Sequence, residues 1–374
     1  MASNDNTQTR ELDVGGQIKI QQLFKLMVES KASDLHLTVG SPPAIRVHGE
    51  IVRVKVPALN ANDVKRLVYQ VLTEEQRHEF EKNLQLDFSF GVKGLSRFRG
   101  NVFHSKSSVA AVFRMIPSII PDFKDLGLPN VLIKMVKAAN GLILVTGPTG
   151  SGKSTTLAAL IDYLNSNEAG HIITLEDPIE FVHPHKVSIV NQREMGADSN
   201  NFGDALKSLL RQDPDIVLVG ELRDPETIEA ALTVAETGHL VFGTLHTNNC
   251  VQTINRIINV FPAYQQDQIR TLLSFVLQGV VSQQLLPKTF EPGRVCSQEI
   301  LIPTPAIRNL IRENKIHQIY SQMQIGQEDT GMTTMNQSLK GFVDKGIIDK
   351  ESAMEYTSMP EELIKMLGPA GRKS

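Results

Sequence analysis

The sequence predicts an α/β protein in two folded parts: a small α+β domain of antiparallel strands, then a larger core built on a parallel sheet. Three observations carry this expectation. Short alternating apolar stretches crowd the first third of the chain. Continuous Val/Ile/Leu runs alternate with helical segments through the rest, and a glycine-rich phosphate-loop motif sits between one such run and a helix. A length of 374 residues suits two domains at roughly 100–200 residues each.

Residues 1–16 are polar, lack a hydrophobic signal core, and read as a disordered tail. Ile20, Leu23, Phe24, Met27 and Val28 then recur at helical spacing and predict an amphipathic helix over 18–31. Leu35, Leu37 and Val39 alternate as in a strand, which Ser41-Pro42-Pro43 ends. Strands over 45–48 and 51–56 flank Gly49-Glu50, read as a two-residue hairpin turn. Thr73 and Gln76 form a capping box for a helix reaching about Asn83. Strands follow over 86–90, 95–103 and 108–116, so 17–116 is one small α+β domain.

Residues 117–124 (PSIIPDFK) contain two prolines, which cannot donate to a sheet ladder, and read as a linker. Five apolar runs come next, at 141–146, 171–176, 215–219, 240–245 and 295–302. Runs without polar alternation suit strands covered on both faces, as in a parallel sheet between helix layers. The core is placed at 125–314. Beyond about residue 303 the pattern is helical only, which makes 315–374 a helical C-terminal region.

Composition narrows the function. Apolar residues make up 41% and charged residues 21%, as in ordinary globular proteins. Aromatics are 5% and Trp is absent, which argues against aromatic-rich carbohydrate or quaternary-ammonium sites. Cys250 and Cys296 are too few for a disulfide framework or a four-thiolate zinc site. No apolar run approaches the roughly 20 residues that span a bilayer. The expectation is a soluble protein of a reducing compartment, reaching a membrane only through a partner or a surface.

The net charge of −3 is unevenly spread. Residues 17–115 hold 15 Lys and Arg against 9 Asp and Glu, whereas 116–374 hold 22 against 29. A basic module joined to an acidic one fits nucleic-acid binding, or docking of one subunit's basic module beside an anion held by another, or plain solvated surface.

The strongest chemical signal is Gly147-Pro148-Thr149-Gly150-Ser151-Gly152-Lys153-Ser154-Thr155, a GxxxxGK[ST] motif between a strand and a helix expected over 156–165. Its glycines let successive N–H groups converge on an anion, and the helix N-terminus adds partial positive charge. Lys153 would reach the β- and γ-phosphates of ATP, and the Ser154 hydroxyl would ligate Mg²⁺. Two other strand ends carry acids. DIVLVG leads into Glu221, suited to holding the metal, through water. HIITL leads into Glu176-Asp177-Pro178-Ile179-Glu180, where Pro178 breaks the strand and leaves the carboxylates on a loop. One acid can position the metal while another orients or deprotonates water. His246, in the polar stretch after the fourth run, suits sensing of the γ-phosphate.

Phosphoryl transfer needs an added cation near the transferring group. Arg97 and Arg99 are two apart on a predicted strand and so share a face, and Arg114 lies on the next strand. No acid lies between residues 88 and 121, so the local sequence offers these arginines no partner.

These residues resemble the PilT-type retraction ATPases of bacterial type IV pili, within the secretion ATPase superfamily. The resemblance covers 17 to about 345 and rests on SDLHL (33–37), SRFRGNVF (96–103), GPTGSGKSTTLAA (147–159), TLEDPIEF (174–181), RQDPDIVLVGELRD (211–224), GHLVFGTLHTNN (238–249), AIRNLIREN (306–314) and MNQSL (335–339). It implies a PAS-like N-terminal domain, a RecA-like core and a homohexameric ring. It implies that Glu180 is the catalytic glutamate, Glu221 the Walker B acid and His246 the His-box residue. Arg97, Arg99 and Arg114 would be supplied across a subunit interface. Two cysteines leave no room for the tetracysteine zinc insertion of pilus-assembly relatives, which favours the retraction branch.

The resemblance implies a cytoplasmic motor on the inner face of the inner membrane. It would drive pilin disassembly and twitching motility through a membrane-embedded platform protein, with a paralogous retraction ATPase as a further partner. The alternatives are an accessory retraction ATPase and a RecA-like nucleic-acid motor. No nucleic-acid partner is expected, because stacking aromatics are sparse and the core is acidic.

Overall fold

The computed structural model describes residues 9–11, 17–47, 49–117 and 119–368. The chain divides into two compact units, with the division between Ile119 and Ile120. The expected disordered tail, 1–16, lies outside the described residues except for Thr9–Glu11.

The first unit holds strands β1 (Thr9–Glu11), β2 (Asp34–Leu37), β3 (Ala44–Val47), β4 (Glu50–Lys55), β5 (Gln85–Val92), β6 (Ser96–Ser105) and β7 (Ser108–Ile116). They form one sheet in the order β1-β4-β3-β2-β7-β6-β5. All neighbours are antiparallel except β1, which runs parallel to β4. The helix Ile20–Glu29 lays Leu23, Phe24 and Met27 into the core. There the Phe24 ring stacks on Phe98 at 4.5 Å between centroids and meets Phe113 edge-on at 5.3 Å. The Thr73–Gln76 capping box opens the helix Glu74–Asn83 as expected. A further helix, Ala61–Tyr69, opens on a capping box between Asn60 and Asp63. The β3–β4 turn differs. Val47 pairs with Glu50, so Glu50 belongs to β4 and not to the turn; His48 lies outside the described residues.

The second unit holds β8 (Gly141–Thr146), β9 (His171–Glu176), β10 (Ile189–Glu194), β11 (Ile216–Val219), β12 (Leu240–Leu245), β13 (Leu277–Pro287) and β14 (Arg294–Leu301), in the order β10-β9-β11-β12-β8-β13-β14. Burial explains the apolar runs. Leu142 and Leu144 of β8 face one hydrophobic cluster, with Ile173, Leu175, Val217 and Val219. Ile143 and Val145 face a second, with Ile172, Ile216, Leu218 and Phe242. Every residue of β8 is buried, so no position is left for the polar alternation of a half-exposed strand.

Along the sheet order from β10 to β13, each adjacent pair of strands is parallel. The run at 295–302, expected in the parallel set, instead forms β14 and pairs antiparallel with β13. Two strands escaped the apolar-run reading. β10 is an edge strand with one covered face, and β13 carries polar residues that become fully buried, among them Ser282 and Gln283. Phe123, inside the expected linker, is buried in the second unit's core beside Leu128 and Leu132. After β14 the described chain is helical through Pro360–Leu367. Met335, Leu339, Ala353 and Leu363 pack there with Leu286 of β13.

Candidate nucleotide site

Because β8, β9, β11, β12 and β13 are parallel, their carboxyl ends share one sheet edge, where open α/β sheets bind ligands. The phosphate loop follows β8, the Glu176–Glu180 turn follows β9, Glu221 follows β11 and His246 follows β12.

The loop runs from Gly147 to Gly152 and opens the helix Lys153–Asn167. Gly147 and Gly152 have φ of 141° and 88°, the left-handed region that favours glycine. A Cβ on Gly147 would meet the Gln283 carbonyl oxygen at 2.2 Å and Ser151 Oγ at 2.7 Å. The neighbouring helices at Pro225 and Cys250 are capped by the side chains of Asp224 and Asn249. The helix at Lys153 has no side-chain cap and no acid in its first turn. Its N-terminal N–H groups are thus kept for an anion. Lys153 Nζ donates to the carbonyls of Gly147 (2.8 Å) and Pro148 (3.1 Å). Burial lowers the pKa of Lys153, and the charge of Glu221 opposes that shift.

Glu221 is the hub of the second strand end. Its Oε1 lies 2.7 Å from Arg223 Nε and 3.3 Å from His246 Nε2. Burial resists its ionisation, but the Arg223 hydrogen bond and charge, with His246 behind them, outweigh burial and lower its pKa. Close packing sets its place. Gly220 N–H donates to the Leu175 carbonyl at 2.7 Å, and a Cβ on Gly220 would crowd that carbonyl at 3.2 Å.

Glu180 is exposed, and its backbone N–H donates to Glu176 Oε2 at 3.3 Å. Glu176 is buried and also accepts from Thr174 Oγ1 (2.6 Å) and Gln192 Nε2 (3.1 Å). Burial raises its pKa against those hydrogen bonds. Glu176 therefore shapes the turn, and Glu180 is the carboxylate presented outward. After β12, Thr247 and Thr253 share a hydrogen bond of 2.7 Å, and Thr253 reaches Thr146 Oγ1 at 3.3 Å.

A magnesium ion fits this chemistry. The Ser154 hydroxyl is exposed on the first helical turn, and Glu221 is held ionised. No group of three or more His, Cys, Asp or Glu that could hold a metal occurs among the described residues. A metal here would lean on phosphate and water, as magnesium commonly does.

The three candidate arginines lie in the first unit. Arg97 and Arg99 share a face of β6, with buried Phe98 between them facing the core. Arg99 lies 3.8 Å from Asp87. Arg114 stands opposite Asp34 in the β7–β2 ladder, and its Nε lies 2.8 Å from Asp34 Oδ1. Asp34 supplies the carboxylate that the sequence near Arg114 lacks. AIRNLIREN forms the helix Pro305–Arg312. Its Arg308 donates to the carbonyls of Ser274 (2.6 Å) and Phe275 (2.9 Å), closing the helix Ala263–Val276. Arg312 lies over the Phe275 ring.

Sequence reasoning missed Arg223 and Gln283. A cation two residues beyond a strand-end acid was a usable signal for the first. Nothing local marked the second.

The family described as Type II/IV secretion system protein matches residues 16–355. The chain is 52% identical over 342 residues to the "Type IV pilus retractation ATPase PilT" of Pseudomonas aeruginosa, covering 91% of this chain and 99% of that one. It is 40% identical over 350 residues to the "Type IV pilus ATPase PilU" of the same organism, covering 94% and 91%. A crystal structure of the pilus retraction motor PilT with bound ADP superposes with a TM-score of 0.87 at 53% identity, covering 93% of this chain and 99% of that one.

Proposed function

The chain belongs to the type II/IV secretion system protein family, and from that premise we infer that it is a motor ATPase driving type IV pilus retraction. The observation that carries the reading is the convergence of the Lys153 loop, Glu180, Glu221 and His246 on one edge of a parallel sheet.

ATP is the substrate. Lys153 leaves the Gly147 and Pro148 carbonyls to meet the β- and γ-phosphates. Glu180 orients water and takes its proton as the water oxygen attacks the γ-phosphorus, and the bond to the β-phosphate oxygen breaks. His246 and Arg223 hold Glu221 in place. Magnesium, when bound, neutralises charge on the phosphate oxygens; the Ser154 hydroxyl and, through water, Glu221 would hold it.

Arg97, Arg99 and Arg114 come from a neighbouring copy in a homohexameric ring. Arg114 is suited to this, because Asp34 fixes its Nε while the side chain remains 69% exposed. Loss of the γ-phosphate removes the charge that draws arginines and core together. The two units then turn as rigid bodies about the segment ahead of buried Phe123. No helix among the described residues is long and apolar enough to cross a membrane. In this reading force reaches the pilus through a membrane-embedded platform protein at the inner face of the inner membrane. A paralogous retraction ATPase is a further partner. Greater identity to PilT than to PilU favours a main over an accessory role.

Lys153→Ala and Glu221→Ala test the site. Each should reduce ATP hydrolysis by purified protein at least a hundredfold, about 2.7 kcal/mol of barrier. Wild-type turnover in either variant overturns the assignment.

A further inference from the structure

We propose that Gln283 is a positioning residue of the phosphate loop, setting nucleotide affinity by fixing the peptide between Ser151 and Gly152. The inference rests on the nucleotide-site reading above.

Gln283 is fully buried on β13, one residue past the pairing of Ser282 with Thr146 at the end of β8. Its Nε2 donates to the Ser151 carbonyl at 2.8 Å, across 132 residues of sequence. Its own carbonyl oxygen packs against Gly147, and Nε2 would lie 3.3 Å from a Cβ on Gly152. One residue from the neighbouring strand thus brackets both ends of the loop.

The consequence follows from peptide geometry. In a planar trans peptide the C=O and the following N–H point in opposite directions. Pinning the Ser151 oxygen toward β13 turns the Gly152 N–H away from β13. A phosphate cradle needs its N–H groups on one side and its carbonyls on the other. Gln283 imposes that sorting at the peptide leading into Lys153. Only the donor end of the amide is engaged, since Gln283 Oε1 has no hydrogen-bond partner. The proposal therefore requires a donor at this position, and volume alone does not suffice.

Gln283→Met keeps the volume and removes the donor; Gln283→Glu keeps the shape and places a carboxylate against the Ser151 carbonyl. The readouts are the ADP-induced rise in Tm of the full-length protein and the KM and kcat for ATP. The Tm rise compares each folded protein with itself, so it remains usable for a destabilised variant. ADP affinity should fall roughly three- to tenfold in Gln283→Met, the worth of one neutral hydrogen bond. It should fall further in Gln283→Glu. KM should rise in step in Gln283→Met, with kcat within about twofold. Wild-type ADP affinity in Gln283→Met, or a fall in kcat at unchanged KM, overturns the proposal. Failure of the wild-type protein itself to bind ADP would instead overturn the nucleotide-site reading.

Discussion

Arg223 Nε lies 2.7 Å from Glu221 Oε1, two residues away in the chain. The pair decides the protonation of the acid assigned to the metal. Burial alone would raise the pKa of Glu221, and Arg223 with His246 reverses that. Arg223→Ala should move the acid limb of the hydrolysis pH profile to higher pH and slow turnover at neutral pH about three- to tenfold. An unshifted acid limb would show that Arg223 does not tune Glu221. Stability should change by less than about 1 kcal/mol, because the Arg223 side chain is 70% exposed.

Asp34 anchors the first unit. It is buried and lies within 2.8 Å of Arg114 and 3.7 Å of Arg46. Burial opposes its ionisation, but hydrogen bonds from Ser33 and Arg114 prevail and lower its pKa below the ordinary 3.8. A depressed acid contributes stability that is present above the unfolded pKa and lost as pH falls through the folded one. Asp34→Ala should destabilise the protein by about 1–3 kcal/mol at neutral pH, measured by urea unfolding. The deficit relative to wild type should shrink below about pH 4; a deficit constant down to pH 2 would refute the linkage.

Glu299 joins two helices. It is 2% exposed on β14; Oε1 accepts from Cys250 N–H at 2.7 Å and Oε2 from Met335 N–H at 3.4 Å. Those N–H groups begin the helices Cys250–Asn259 and Met335–Asp344. Glu299→Ala leaves both buried donors without an acceptor and should destabilise by about 2–4 kcal/mol. Glu299→Gln, which retains one acceptor, should fall between wild type and alanine in chemical denaturation. Wild-type stability in Glu299→Gln, with the loss confined to Glu299→Ala, would mean that packing, not the carboxylate, holds these helices.

The arginine assignment calls for mixed rings. Arg97→Ala subunits mixed with Lys153→Ala subunits should recover hydrolysis that neither has alone, because an intact Lys153 beside a neighbour's intact Arg97 arises only in mixed assemblies. No recovery on mixing would exclude delivery between subunits.

The phosphate loop, the strand-end acids and the strands at 141–146, 171–176 and 240–245 were all legible, because each is written in contiguous residues whose types fit one environment. Gln192 and Gln283 were not legible. A polar residue in a buried strand looks like loop until the partner that satisfies it is known. β13 was passed over for the same reason, and β10 because only one of its faces is covered. The capping box of Ala61–Tyr69 is likewise written in nearby residues, Asn60 and Asp63.

By itself, then, the amino-acid order determined most of the segments that fold into sheet or helix, β10 and β13 excepted, and which residues are candidates to handle phosphate. Periodicity records burial, and the loop's chemistry is local. Tertiary structure alone decided that β14 runs antiparallel, that Asp34 answers Arg114 across 80 residues, and that Gln283 reaches Ser151 across 132. Those outcomes depend on strand order and register, which arise only when distant segments share a core.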